Sequence, residues 1–154
     1  MNTPRSLPSG FHTITPMLAY KSAAAAIEFY IDVFDAEEVM RLTDPQGRVV
    51  HAEIRIGDSH FMLSDENPQY NASPETVGKS TVILCMYSDD VDALVTRATG
   101  AGATLAMPVK EQFYGDRSGR LIDPFGYIWL VATHVEDVSP EEMQRRFDKM
   151  MSNC

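Results

Sequence analysis

The sequence predicts an α+β fold: two βαβββ modules that form an open, eight-stranded, barrel-like sheet, followed by a C-terminal helix. Two observations predict it, namely an order of strands and helices that occurs twice and an amphipathic helix at the same place in each repeat. The chain has 154 residues, a length typical of one domain. We therefore expect a single domain over residues 1–154, with modules at about residues 11–64 and 80–134 and a tail helix at about residues 140–150.

The first module follows a lead-in, residues 1–10, that is rich in proline, serine and glycine. Its helix is expected to begin after Ser22, a residue type favoured at helix N-caps. A polar segment from Asp65 to Lys79 is predicted to be a linker. The apolar face of the helix is formed by Ile27, Tyr30, Ile31 and Phe34, and the strands are expected at Phe11–Tyr20, Ala36–Thr43, Val49–Ile56 and Ser59–Ser64.

The second module repeats this order. Its helix is expected to begin after Asp89 or Asp90, with an apolar face formed by Val91, Leu94, Val95 and Ala98. The turn glycines of the two modules, Gly57 and Gly126, are further apart than the two helices, so a short insertion is expected in the second module, at residues 114–119. The strands are expected at Ser80–Ser88 and Thr104–Val109, within Glu111–Leu121, and at Tyr127–Thr133.

The tail carries a strong helix start. Ser139 is an N-cap residue, Pro140 occupies the first helical position, and Glu142 follows three residues after the cap. Met143, Phe147 and Met150 then lie on one stripe of the predicted helix. This stripe is expected either to pack on its own domain or to form a dimer contact.

Composition and charge exclude several classes of partner. The formal net charge is −9, which argues against nucleic acid and, more weakly, against an anionic membrane surface. The longest apolar run, Val82 to Tyr87, is far shorter than the roughly 20 residues of a spanning helix. The N-terminus lacks the apolar segment of a secretory signal, and the chain has only 2 cysteines. We therefore expect a cytoplasmic protein without disulfides.

Several motifs are spread over residues 12–147. They are Thr15-Pro16-Met17-Leu18, Ala24-Ala25-Ala26-Ile27-Glu28-Phe29-Tyr30, His51-Ala52-Glu53, Tyr114-Gly115-Asp116-Arg117, Asp123-Pro124-Phe125-Gly126 and the run from Ala132 to Glu142. With the two modules, these motifs make the chain resemble the PhnB-like branch of the vicinal-oxygen-chelate (glyoxalase/bleomycin resistance/dioxygenase) superfamily. The resemblance implies a partly closed eight-stranded barrel and a homodimer, but it implies no single reaction.

For catalytic members, the resemblance implies a divalent metal held by His and Glu side chains from the first and last strands of each module. The corresponding positions here are Thr15, Phe61 or Met62, Ile83 and Leu130. Phenylalanine, isoleucine and leucine have no donor atom, methionine sulfur is soft, and threonine is a rare ligand. Because a catalytic site needs about three protein ligands, we expect no family-type metal site and no cofactor. A divalent metal at other residues stays an open alternative.

Two pairs of residues are candidates for binding a substrate or ligand. His51 and Glu53 lie two apart on a predicted strand and therefore share a face with Arg55. They form either an acid–base or binding pair, or a solvated His–Glu hydrogen bond. Tyr114 and Arg117 offer an aromatic face and a guanidinium that binds carboxylate or phosphate. The alternative for Arg117 is an ion pair with Asp116.

Three further residues are expected to be structural. Cys85 is predicted to behave as a small buried hydrophobe. Trp129 is predicted to lie in the core if Leu130 faces a cleft, because neighbouring strand residues point to opposite faces. His134 is expected to position the turn before the tail helix.

The leading functional hypothesis is the binding of a small organic molecule in a concave cleft without the family metal. The alternative is a metal-dependent lyase or isomerase of the glyoxalase type, or a dioxygenase, with metal at unexpected residues or with His51 and Glu53 as the base. A partner-binding or regulatory protein without a pocket is a third possibility. The residues alone do not decide whether the protein is an enzyme.

Overall fold

The computed structural model describes residues 6–154, so residues 1–5 of the predicted lead-in lie outside the described residues. The chain divides into two compact units, Met1–Ser80 and Thr81–Cys154. Each unit has the order strand, helix and three strands. The predicted α+β class, the two βαβββ modules and the C-terminal helix are confirmed. The strands form two four-stranded mixed sheets, neither of which is closed.

The first unit contains one sheet and two helices. Its sheet has the order β1-β4-β3-β2, with β1 and β4 parallel and the other pairs antiparallel. The elements are β1 (Met17–Tyr20), α1 (Ala23–Phe34), β2 (Glu37–Thr43), β3 (Val49–Ile56), β4 (Ser59–Asp65) and α2 (Pro74–Val77). The first strand is shorter than predicted, and the predicted linker contains the short helix α2.

Helix α1 begins as the sequence predicts, because the Ser22 side chain accepts a hydrogen bond from the Ala25 amide at 3.3 Å. It ends where Asp35 adopts the left-handed conformation with φ 53°. Three of the four predicted core residues are buried, whereas Ile31 is 39% exposed. Ala23, Ala26 and Val33 are fully buried instead, so the buried stripe runs to one side of the predicted one.

The second unit repeats this arrangement and has its second helix at its end. Its sheet has the order β5-β8-β7-β6, and β5 and β8 are parallel. Asp90 caps the helix by accepting a hydrogen bond from the Ala93 amide at 3.0 Å. All four predicted core residues of this helix are buried. The elements are β5 (Ile83–Tyr87), α3 (Val91–Gly100), β6 (Thr104–Glu111), β7 (Asp116–Ile122), β8 (Ile128–His134) and α4 (Pro140–Ser152).

The predicted insertion lies elsewhere than expected. Strand β7 begins at Asp116, so most of residues 114–119 belong to a strand. The longer connection is the β7–β8 turn at residues 123–127, whose equivalent in the first unit is only Gly57 and Asp58. The reason is the Asp123 carboxylate, which accepts hydrogen bonds from the amides of Phe125 and Tyr127 and so needs the longer turn around it.

Helix α4 is joined to the loop before β7. Its N-cap is Ser139, whose side chain accepts a hydrogen bond from the Glu142 amide at 3.2 Å, as predicted. Arg146 donates to the Phe113 carbonyl oxygen at 3.2 Å, and the rings of Phe113 and Phe147 lie 5.6 Å apart. No helix within residues 6–154 is long and apolar enough to cross a membrane.

Candidate functional site

The predicted pair in the first unit lies on the sheet face opposite α1. Ala52 and Ile54 are fully buried under α1, and residues that alternate with them point the other way. The His51 Nε2 and Glu53 Oε1 atoms are 3.5 Å apart, and both side chains are half-buried. The sequence therefore placed these two residues on the correct face, and their contact is at the outer limit of a hydrogen bond.

His60 lies on the same face, since it pairs with Arg55 across β3 and β4. Its ring stacks on Phe11 with the ring centroids 4.4 Å apart. Its Nδ1 atom is buried and has no hydrogen-bond partner within the described residues. The N-terminal segment thus covers this histidine, with Phe11 stacked on its ring and Gly10 beside it.

The second sheet has a more varied exposed face, which we define as the side opposite α3. Leu121, Trp129 and Val131 are buried on the α3 side, so the residues between them point to the exposed face. The predicted core position of Trp129 is thereby confirmed. The strand register arranges the exposed face in rows: Ile83, Ile128 and Ile122; then Cys85, Leu130, Arg120 and Met107; then Tyr87, Ala132 and Ser118; then His134 and Asp116.

A hydrogen-bonded network closes one end of this face. The Tyr87 hydroxyl donates to Asp116 Oδ2 at 2.9 Å, and His134 Nδ1 lies 2.7 Å from Asp116 Oδ1. The other ring nitrogen of His134 lies 2.8 Å from Asp137 Oδ1. Asp116 is only 6% exposed, so its carboxylate depends on these partners. The sequence analysis assigned no site role to Tyr87 or Asp116, because Tyr87 lies 29 residues from Asp116 and nothing local signals the contact.

The network raises the pKa of two of its members, His134 and Tyr87. Hydrogen bonds to Asp116 and Asp137 raise the pKa of His134, because two carboxylates favour the imidazolium form. The hydrogen bond to Asp116 also raises the pKa of Tyr87. With both ring nitrogens occupied, His134 holds the segment before α4, as predicted, and has no free nitrogen for proton transfer or metal binding.

The predicted burial of Cys85 is wrong. Cys85 is exposed, whereas the sequence predicted a buried side chain. Partial desolvation and the nearby charge of Asp116 raise the pKa of its thiol. Since the thiolate is the nucleophile, the surroundings make Cys85 a weak nucleophile at neutral pH.

The predicted pair Tyr114 and Arg117 is divided between the two faces of the sheet. The Tyr114 hydroxyl lies 3.2 Å from Ser118 Oγ and belongs to the exposed face. Arg117 lies on the α3 side, where it donates to both carboxylate oxygens of Asp92 at 2.7 and 2.9 Å. The alternative of an Asp116–Arg117 pair is therefore wrong, because each residue is bound to other partners.

Arg120 is a residue of the exposed face that the sequence analysis did not single out. It is half-buried and lies next to Leu130 and Met107 in the strand register. Its signal in the sequence was the strict alternation of β7, which places Arg120 on the same face as Asp116 and Ser118.

The family metal positions lack suitable side chains. Ile83 and Leu130 lie on the exposed face of the second sheet, Phe61 is buried under α1, and Thr15 precedes β1. Met62, the alternative to Phe61, pairs with Glu53 on the other face of the sheet and offers only a soft thioether. Across residues 6–154, no group of three or more His, Cys, Asp or Glu side chains is arranged to hold a metal ion. The residues present at these positions do not fit a divalent metal.

Each unit is thus a four-stranded mixed sheet with a helix on one face, and the chain belongs to the class of proteins built from paired βαβββ modules. Residues 10–131 match the family model of the Glyoxalase/Bleomycin resistance protein/Dioxygenase superfamily, and the chain belongs to this family. An uncharacterised protein of Mycobacterium tuberculosis is 38% identical over 135 residues, which cover 85% of this chain and 79% of that protein.

Solved structures show the same fold. A gene product from Arabidopsis thaliana has a TM-score of 0.63 and 26% identity, covering 79% of this chain and 98% of that one. The PhnB protein from Bacillus cereus, described as a putative 3-demethylubiquinone-9 3-methyltransferase, has a TM-score of 0.63 and 21% identity over 79% and 99% of the two chains. The predicted superfamily is therefore confirmed by the family model, and the PhnB protein shares its fold with this chain.

A more distant structure contains a metal. The fosfomycin resistance protein FosX from Listeria monocytogenes, complexed with Mn(II) and sulfate, has a TM-score of 0.61 and 14% identity over 88% and 97% of the two chains. At this identity the likeness concerns the fold alone.

Proposed function

We propose that this protein binds a small organic molecule on the exposed face of the second sheet, without a divalent metal at the family positions. The observation that carries the proposal is the set of side chains at those positions: Ile83 and Leu130 provide apolar surface and no donor atom. A ligand in contact with them is held by apolar contacts and by the polar groups around them, and not by metal coordination.

The composition of the exposed face supports this proposal. Ile83 is 44% exposed and Met107 is 45% exposed, and they belong to a patch that also contains an arginine and a tyrosine. Apolar surface with a few polar groups is the usual lining of a site for a small organic ligand. Exposed apolar patches also mark interaction sites in general.

The test uses a variant in which a bulky side chain occupies the exposed face of the second sheet. Cys85 is exposed in the row of Leu130 and Arg120, so Cys85→Trp adds a bulky side chain there without burying a polar group. We expect compounds that raise the melting temperature of the wild type in a screen of small organic molecules to lose this effect in the Cys85→Trp variant.

The matched control is Val77→Trp, because Val77 is 63% exposed on α2 of the first unit. This variant is expected to keep the response to the same compounds. Equal responses of both variants would refute binding at the exposed face of the second sheet.

A second candidate function is acid–base catalysis by His51 and Glu53, favoured by their 3.5 Å contact on the face opposite α1. Such an enzyme is a lyase or isomerase of the glyoxalase type, and a metal-dependent form or a dioxygenase requires ligands at other residues. If the protein converts a substrate, loss of turnover in both His51→Ala and Glu53→Ala, with unchanged melting temperatures, supports this candidate. Unchanged turnover in both variants refutes it.

A further inference from the structure

The Arg120 guanidinium has no electrostatic partner among residues 6–154. Of the arginines in this range, it is the only one whose side chain has no hydrogen bond or ion pair to a described residue. It is also half-buried, with Leu130 and Met107 beside it in the strand register. A partly desolvated charge without a partner is unfavourable, so this guanidinium is available to an anion supplied from outside the chain.

The other charged groups of β7 and β8 are already occupied, and Lys110 of β6, opposite Ser118, is exposed to water. Arg117, three residues earlier on the same strand and on its other face, is bound to both oxygens of Asp92. The Asp116 carboxylate is bound by Tyr87 and His134. Arg120 therefore differs from Arg117 in its lack of a carboxylate, although both belong to β7.

We propose that the molecule bound on this face is an apolar organic monocarboxylate whose carboxylate is held by Arg120. This inference rests on the proposed function, because it assumes that a small organic molecule binds there. The planar guanidinium fork matches a carboxylate and forms two parallel hydrogen bonds with it. A single arginine balances a single negative charge, and this favours a monocarboxylate over a doubly charged phosphate.

The arrangement of the rows also gives the ligand a direction. On one side of Arg120 lies the row of Ile83, Ile128 and Ile122, and on the other side lies the network around Asp116. Because the isoleucine row is apolar and the side of Asp116 is polar, the apolar part of the ligand extends over the isoleucine row and away from Asp116.

Cys85 provides a local readout of binding. It lies two strands from Arg120, with Leu130 between them, at about 10 Å between the backbones. In a Cys154→Ser background it is the only cysteine, since the chain has 2 in all. Because the pKa of the Cys85 thiol is raised, its alkylation is measured in alkaline buffer.

The experiment compares acids with their neutral amides. Octanoate and octanamide, and phenylacetate and phenylacetamide, are titrated against the rate of Cys85 alkylation. We expect each acid to protect Cys85 at a concentration about 10- to 100-fold lower than its amide, which is the contribution of a charge-assisted pair. In Arg120→Gln, the acid and the amide are expected to protect equally.

The control for loss of one positive charge is Arg145→Gln, since Arg145 lies on α4 and its partner Glu142 keeps Arg146. This variant is expected to retain the preference for the acids. Equal protection by acid and amide in the wild type refutes the role of Arg120 and leaves the proposed function standing. If none of the four compounds protects Cys85 up to millimolar concentration, the inference is wrong, and the melting-temperature screen with Cys85→Trp and Val77→Trp decides the proposed function separately.

Discussion

Gly115 is the residue at which two connections of the second unit meet. Its carbonyl oxygen accepts hydrogen bonds from the amides of Val135 and Glu136 at 2.9 and 3.0 Å. Its φ is +98°, and a Cβ at this position would collide with the Glu136 carbonyl oxygen. Only glycine therefore allows the loop before β7 to lie against the segment that follows β8.

We expect Gly115→Ala to destabilise the protein by more than the roughly 1–3 kcal/mol of left-handed strain, because the backbone collision adds to the strain. The matched control is Gly78→Ala, since Gly78 has a φ of +99° and nothing within 4 Å of a Cβ. Urea unfolding measures both variants. A similar loss in the two would show that the loop yields without cost and would contradict the collision.

His134 gives a pH dependence with a defined sign. Because Asp116 and Asp137 raise the pKa of its imidazole in the folded state, its stabilising contribution is complete below the unfolded pKa of about 6.5 and is lost as pH rises through the folded value. We expect the melting temperature of wild type to exceed that of His134→Gln most at about pH 5.5, and this gap to narrow by about pH 9.

The comparison variant for this measurement is Asp137→Asn, which removes one of the two carboxylates. In that background, replacing His134 is expected to give a smaller change of the gap with pH. A gap that stays constant from acid to alkaline pH would mean that the ion pairs contribute nothing to folding.

At the scale of elements, the same four-residue turn occurs twice, as Asp44-Pro45-Gln46-Gly47 and Asp123-Pro124-Phe125-Gly126. In both turns the aspartate carboxylate accepts hydrogen bonds from two later backbone amides. The difference is burial: Asp123 is 4% exposed and also accepts from the Trp129 indole at 2.9 Å, whereas Asp44 is half-buried and its hydrogen bonds are exposed to water.

We therefore expect Asp123→Ala to cost about 3 kcal/mol or more, because it leaves buried donors without an acceptor. Asp44→Ala is expected to cost about 1 kcal/mol, because water replaces the lost carboxylate. Thermal unfolding of the two variants measures the difference. Equal losses would show that burial of the turn does not matter.

The same elements show what the sequence predicts and what it does not. The start of a helix depends on residues that are close in sequence. The N-caps Ser22, Asp90 and Ser139 were therefore predicted correctly from local spacing. The face shared by His51 and Glu53 also follows from strand alternation alone. By contrast, the contact of Tyr87 with Asp116 depends on the pairing order β5-β8-β7, which no local pattern specifies.

For Arg120 and Cys85, the limit of sequence reasoning is different. Their strand positions were predictable, but their burial and partners depend on which side chains flank them in the register. The exposed state of Cys85 and the missing partner of Arg120 therefore required the assembled sheet.

At the scale of the whole molecule, the family metal positions lack donor atoms, and this predicts that divalent metals do not stabilise the protein. We expect Mn²⁺, Ni²⁺, Zn²⁺ and Fe²⁺ to leave the melting temperature of tag-free protein unchanged, and the purified protein to contain no stoichiometric metal. A specific metal at a hundredfold excess over its Kd would add about 2.7 kcal/mol of stability. A stoichiometric metal that raises the melting temperature would overturn the assignment of these positions.

The homodimer stays a prediction. Sedimentation analysis tests it by measuring the mass of the protein in solution.

In each unit the strand that comes first in the chain pairs in parallel with the strand that comes last, Met17 with Met62 and Ile83 with Ile128. The second, third and fourth strands of each unit form antiparallel pairs between neighbours in the chain. Closing the long loop between the parallel partners costs entropy before any of their contacts form. We therefore expect the amides of β1 and β5 to acquire protection from solvent exchange later in refolding than those of β3 and β7, measured by pulse labelling and mass spectrometry. Simultaneous protection would mean that each module folds in a single step, with its outermost strand already in place when the meander forms.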